Sequence, residues 1–263
     1  MAAVGKILEY LDSLAPVKLK MDFDNVGLLA GFTDDEVNTA VVALDITEEV
    51  INEARELGAQ LIVSHHPLFF DLKTVSDLDP SGKKAALLIR NGMAAICMHT
   101  NLDAAKGGVN DILAEKAGIV SPQLLCEEFY DDNGEPYCIG RFGELEHEMS
   151  MDDYLACLKT SLNANGLKYY DAGKPVKKVA VVGGSGMSQI DHVLQSGCDT
   201  FLTADIKYHA FLDAREGGYN LIDGDHFCTE NVVVPYLAEK LQSAFPDIDI
   251  IVSKVHSQTT KFI

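Results

Sequence analysis

The sequence predicts an α/β protein, with two layered domains built on mixed, largely parallel sheets. Three observations lead there. Short apolar runs recur along the 263-residue chain, helical patterns separate most of them, and one central stretch breaks the alternation with polar, turn-rich sequence. Strands alternating with helices are the pattern of parallel sheets, because a parallel pair needs a long crossover and a helix provides it. The length suits one large domain or two small ones, and 47% hydrophobic residues is ordinary for a globular protein with a sizeable core.

Taken in order, "MAAVGKILEYLDSLAPVKLK" (1–20) reads as an amphipathic helix, since acidic residues interrupt it and no apolar run follows a basic start as in a signal peptide. Strands are predicted at 39–45, 59–65, 94–99, 178–184, 200–205, 220–225 and 248–253. Between them, helix 47–58 has Thr47 as N-cap and Gly58 as its stop, and helices 82–92 and 110–118 also end at or beside glycine. An amphipathic helix is expected at 231–245. From 121 to 177 the pattern changes: "EEFYDDNGEPYCIGRFGELEHEMS" suggests an antiparallel edge or hairpin, and the helix "MDDYLACLKTSLNA" follows it. The expected division is therefore a first domain of 1–121 plus 222–263 and a second of 122–221.

Charge and cysteine usage narrow the function classes. A formal net charge of −19 disfavours nucleic acid as a partner, and the densest basic run, "KPVKK" (174–178), is too short to reverse it. No window approaches 18 uninterrupted apolar residues, so a membrane partner is not expected and the expected location is cytoplasmic. Cys97, Cys126, Cys138, Cys157, Cys198 and Cys228 show no C-x-x-C and no paired spacing, and read as small buried apolar residues in a reducing compartment.

The polar residues gather at strand ends. "AQLIVSHHPLFF" (59–70) runs from a buried strand into His65 and His66. Adjacent strand residues point to opposite faces, so two imidazoles converge only if the chain turns there, and Pro67 supplies the turn. Taken alone, the pair reads more readily as two polar residues in a surface loop. Other strands end in Asp45, in His99 with Asn101 and Asp103, in Asp205 with His209, and in Asp223, Asp225, His226 and Glu230. His226 and Glu230, four apart at a helix start, share one face and can close on one ion, or form an ordinary helix pair. Asp103 could be only a turn residue beside Gly107 and Gly108. Together His65, His66, Asp103, His226 and Glu230 give three imidazoles and two carboxylates, too many for one tetrahedral zinc but suited to two divalent ions. The nitrogen and oxygen donors do not choose among Zn, Fe, Mn, Co and Ni. Cys228, two residues from His226 on the same helix, should face away and pack.

"DNVGLLAG" (24–31), "SHHPLFF" (64–70), "HTNLDAAKGGVND" (99–111), "GGSG" (183–186), "TADIKYH" (203–209) and "DGDHFCTE" (223–230) together resemble the Nif-three-like dinuclear metal-centre family, also known as GTP cyclohydrolase I type 2 homologues. The resemblance implies a dinuclear site in the cleft between two α/β domains, the same five ligands, and a ring-like homo-oligomer, commonly a hexamer. The length corresponds to the family's short form. "TAD" (203–205) stands where many relatives have Thr-Gly-Glu, which gives that acidic position a shorter side chain.

Two functions are compatible with these residues. The first, which the family's name implies, is a metal-dependent hydrolase acting on GTP or a related nucleotide, with two cations acidifying a water for attack on a ring carbon or phosphorus. His99, Asp45 and His209 are its candidate catalytic or ligand-orienting groups. The second is metal storage, delivery or scaffolding without turnover, because five ligands explain binding without explaining catalysis. "GGSG" after a strand could approach a phosphate, but it lacks both the G-x-G-x-x-G spacing and a P-loop lysine, and a simple turn explains it as well.

Overall fold

The computed structural model of the protein describes residues 1–263, and the chain divides into two compact units: Met1–Leu102 with Val233–Ser257, and Asp103–Val232 with Gln258–Ile263. The first unit is built on a five-stranded sheet in the order Asp249–Val252, Thr39–Ala43, Leu61–Ser64, Ala94–Cys97, Gly27–Ala30. The first four strands are parallel, and Gly27–Ala30 lies antiparallel at the edge. Every residue of Leu61–Ser64 and Ala94–Cys97 is buried. That accounts for their unbroken apolar runs, since a central parallel strand has both faces covered.

Helices Glu48–Glu56 and Pro80–Arg90 start on side-chain caps. Thr47 accepts the Val50 amide at 3.2 Å, and Asp79 accepts the Gly82 amide at 2.6 Å with Pro80 opening the first turn. One core cluster joins Val41, Ile62 and Ala95 of the sheet to Val50, Ile51, Ala85 and Leu88 of these helices. Each large aliphatic side chain buried there contributes about 1.5–3 kcal/mol.

The second unit carries a six-stranded mixed sheet in the order Lys168–Tyr170, Asn220–Asp223, Thr200–Thr203, Val176–Val181, Arg141–Met149, Ile119–Leu124. Thr200–Thr203 pairs in parallel with both neighbours, and the remaining pairings are antiparallel. Val179, Val181, Leu202 and Ile222 pack with Leu113, Tyr154 and Leu158 in its core. The expected hairpin is present, with Phe129–Tyr130 paired to Pro136–Tyr137.

The division falls after Leu102 and Val232, not after 121 and 221. Helix Val109–Lys116 and strand Asn220–Asp223 each belong to the second unit's core or sheet, which moves both boundaries. The predicted strand 94–99 ends at Cys97, because the chain enters the short helix Thr100–Ala104. The predicted helix 231–245 begins at Val233, after a separate short helix His226–Glu230. No helix is long and apolar enough to cross a membrane.

Candidate metal centre

In the first unit, the strand Leu61–Ser64 ends and two consecutive amides then bond in the same direction. His65 N–H donates to the Ala43 carbonyl at 3.3 Å, and His66 N–H to the Leu44 carbonyl at 2.9 Å. In a regular strand successive N–H groups alternate, so this pattern breaks the pleat and lets adjacent side chains converge. The His65 and His66 ring centroids are 5.1 Å apart, and the His99 ring lies 5.3 Å from one and 5.6 Å from the other. One nitrogen from each of the three lies within 4.8 Å of the other two, an arrangement that could hold a metal ion.

Each imidazole is fixed through Nδ1. His65 Nδ1 donates to the Met98 carbonyl at 2.8 Å, His66 Nδ1 to Asp45 Oδ1 at 2.7 Å, and His99 Nδ1 to Asp24 Oδ1 at 2.8 Å. Carbonyl and carboxylate oxygens only accept here, so Nδ1 of each ring carries a proton, and the metal-binding form of the ring has its lone pair on Nε2. Asp24 also accepts the Thr100 amide at 3.0 Å and its hydroxyl at 2.5 Å. Burial alone would raise the Asp24 pKa, but the bonds from His99 and Thr100 outweigh it and hold the carboxyl down at about 2.

In the second unit, His226 and Glu230 are the ends of one short helix. His226 Nε2 lies 2.9 Å from Glu230 Oε2, and His226 Nδ1 lies 2.8 Å from Asp205 Oδ2. Asp205 reaches it from a left-handed backbone position, φ 55°, which aspartate tolerates better than most residues. Burial would lower the His226 pKa, but the carboxylates of Glu230 and Asp205 reverse that and raise it to about 9. A carboxylate oxygen of Asp103 lies within 4.8 Å of one from Glu230. Asn110 positions this segment, donating to the Asp103 carbonyl at 3.0 Å while its Oδ1 accepts the Gly183 amide at 2.9 Å.

The "GGSG" turn belongs to this arrangement. Gly183, Gly184 and Gly186 donate their amides to Asn110, Thr229 and Thr203 side chains respectively, at 2.9, 3.1 and 2.8 Å. A Cβ at Gly184 would lie 2.0 Å from Glu230 Oε1, so the absent side chain makes room for that carboxylate. Cys228 is buried in the second core, as its place on the helix implied.

Of the catalytic candidates, Asp45 orients His66 and His99 joins the imidazole group, whereas His209 is exposed on the first turn of Tyr208–Gly217. The sequence reading missed the parts played by Asp24, Asn110, Thr229 and Arg141. Asp24, Asn110 and Thr229 lay inside the motifs but nothing in spacing marked their roles, and Arg141 lay in none of them. Arg141 is buried and donates to the Cys138 and Gly140 carbonyls at 2.7 and 2.9 Å, to those of Ala104 and Ala105 at 3.4 Å each, and to the Asp111 carboxylate. It thereby ties the residues after Asp103 to strand Arg141–Met149.

The sequence pattern of Duf34/NIF3 (NGG1p interacting factor 3) matches residues 2–259. The chain belongs to this family. A Clostridium perfringens relative, "GTP cyclohydrolase 1 type 2 homolog", is 37% identical over 99% of both chains. The crystal structure of a Bacillus cereus protein related to NIF3 superposes with a TM-score of 0.93 at 26% identity, covering 100% of this chain and 99% of that one. A Staphylococcus aureus relative of the same name as the clostridial one is 26% identical, covering 99% of this chain and 100% of its own. That alignment runs over 367 positions, longer than the 263-residue chain, so the staphylococcal relative has sequence with no counterpart here.

Proposed function

We propose that His65, His66, Asp103, His226 and Glu230 hold two divalent cations and that the protein is a metal-dependent hydrolase of a small, nucleotide-type molecule. One observation carries the reading: His65, His66, His99 and His226 each direct Nδ1 at a carbonyl or carboxylate. That arrangement holds each ring by Nδ1 and makes Nε2 the atom a cation would take, as metal-binding imidazoles require. The donors fit in kind, all nitrogen or oxygen, and Gly184 leaves space for the Glu230 carboxylate. In the metal-free protein, the His226 proton shared with Glu230 occupies the donor atoms a cation would take.

Bound there, divalent cations would acidify a water towards neutrality and polarise an electrophile. The chain's own residues do the rest. Asp45 and Asp205 hold the His66 and His226 rings in orientation. Asp24 keeps a proton on His99 Nδ1, which leaves His99 Nε2 to take a proton from an attacking water and return it to a leaving group. The clostridial relative's name supports GTP or a related nucleotide as the substrate class. From the family resemblance we further propose a ring-like homohexamer, for which light scattering on the eluting protein is the check.

A second reading, metal storage or delivery without turnover, is favoured by one observation: the glycine-rich turn, which could have approached a phosphate, directs the amides of Gly183, Gly184 and Gly186 at the protein's own side chains. Formate release from GTP, measured with protein loaded in turn with Zn, Mn, Fe or Co, separates the two. Turnover that disappears in Glu230→Gln supports the hydrolase. Full metal occupancy with no turnover overturns it in favour of metal handling. The ligand set is tested separately: His226→Ala and Glu230→Gln are expected to lose bound metal, and two ions per chain retained in either variant would exclude the assignment.

A further inference from the structure

The second unit holds a thiol pair that the metal chemistry does not use. Cys126 and Cys138 flank the hairpin of Phe129–Tyr130 and Pro136–Tyr137, with their sulfurs 2.9 Å apart. The Cys126 amide also points at Cys138 Sγ, at 3.3 Å. Backbone bonds on either side hold the two residues opposite each other: Leu125 N–H donates to Gly140 O at 3.3 Å and Glu128 N–H to Tyr137 O at 3.0 Å. Cys138 is buried and Cys126 half-buried, so one sulfur is reachable and the other waits behind it. Arg141 donates to the Cys138 carbonyl at 2.7 Å and fixes the inner residue in place.

A carboxylate oxygen of Glu128 lies within 4.8 Å of both sulfurs, so two chemistries compete here, a soft cation and a dithiol. Distance decides between them. Two thiolates bound tetrahedrally to one zinc at ~2.3 Å stand roughly 3.8 Å apart, well beyond the separation seen. Glu128 Oε2 is also already directed at the Ile139 amide, 3.4 Å away.

We propose that Cys126 and Cys138 are an oxidation site that closes reversibly into an intrachain disulfide, with a low-molecular-weight disulfide as oxidant. The Cys126 thiol gives up its proton and attacks one sulfur of the oxidant. The oxidant's S–S bond breaks, one small thiol leaves with a proton, and a mixed disulfide remains on Cys126. Cys138 then loses its proton and attacks the Cys126 sulfur, releasing the second small thiol. Two protein thiols are oxidised and one small disulfide is reduced to two thiols. Burial raises the pKa of both cysteines, so the reaction should quicken as pH rises.

The test uses the full chain carrying Cys157→Ser, which removes the exposed thiol. The protein is incubated with oxidised glutathione, alkylated, and analysed by intact mass and peptide mapping. The expected result is two fewer alkylatable thiols per chain, no retained glutathione, a cross-linked peptide joining 126 to 138, and full reversal by dithiothreitol. Cys138→Ala should instead stop at a stable glutathione adduct on Cys126. The proposal is overturned if every thiol still alkylates, if the adduct persists on Cys126 with Cys138 present, or if the pair is protected only by added zinc with no change in mass.

Discussion

Gly184→Ala tests whether the glycine turn exists to admit Glu230. Gly184 has φ +60°, and a Cβ there would lie 2.0 Å from Glu230 Oε1, 2.9 Å from its Cδ and 3.2 Å from His226 Cε1. The backbone term, an L side chain in the left-handed region, costs about 1–2 kcal/mol. The carboxylate must also swing away, breaking its 2.9 Å contact with His226, and a charge-assisted bond of that kind contributes about 1.5–3 kcal/mol. Glu230 cannot slide aside freely, because it is only 4% exposed. The sum is roughly 3 kcal/mol or somewhat more, a fall in Tm of about 6–12 °C. Gly197→Ala is the matched control: its φ is +71° and an added Cβ meets nothing within 4 Å, so only the backbone term applies. Thermal unfolding of both variants without metal, followed by metal analysis after dialysis, reads the two terms apart. Gly184→Ala should unfold below Gly197→Ala and retain less metal than the parent. Equal melting temperatures with parental metal content would refute the reasoning.

Three further outcomes are expected. Asp24 titrates in the folded protein at about 2, below the ordinary 3.8, so its contribution is present above pH 3.8 and lost as pH falls through about 2. That shift corresponds to roughly 2 kcal/mol, and chemical denaturation should show Asp24→Asn less stable than the parent at neutral pH, with the gap narrowing towards pH 2. His226 is raised to about 9 from 6.5, so its carboxylate partners stabilise the metal-free fold below pH 6.5, an effect lost as pH rises through 9. A cation must displace that proton, so apparent metal affinity by calorimetry should rise with pH up to about 9, with the slope reduced in Asp205→Asn. Arg141→Met removes a donor from the Asp111 carboxylate and from four carbonyls, and should cost about 3–5 kcal/mol by urea unfolding, whereas Lys106→Met, at an exposed pair with Glu135, should cost under about 1 kcal/mol.

What the sequence disclosed, and what it hid, follows from the range of the interactions involved. The strands Thr39–Ala43, Leu61–Ser64 and Ala94–Cys97 were legible because burial on both faces writes itself as a continuous apolar run. The His65–His66 turn was legible because Pro67 and the pleat are local facts, and the His226–Glu230 contact because a helix repeats every four residues. The unit boundaries were not, since Asp103 and Val109–Lys116 join the second core through packing that no local pattern records. Asn110 and Gly183 are 73 residues apart and Arg141 and Asp111 are 30 apart, and single polar residues at such separations carry no periodicity.

The glycine turn shows the limit most sharply. A run such as "GGSG" says that something approaches the backbone closely, and that much is physics readable from the letters. Whether the visitor is a phosphate or a carboxylate of the same chain depends on where the amides go. Here they go to Asn110, Thr229 and Thr203, so the space above Gly184 belongs to Glu230. An anion entering above Gly184 would meet a carboxylate, with the amides of Gly183, Gly184 and Gly186 already engaged. A phosphate-bearing substrate must therefore find its positive charge elsewhere, and the cations proposed on His226 and Glu230 would supply it, which makes substrate binding itself depend on metal.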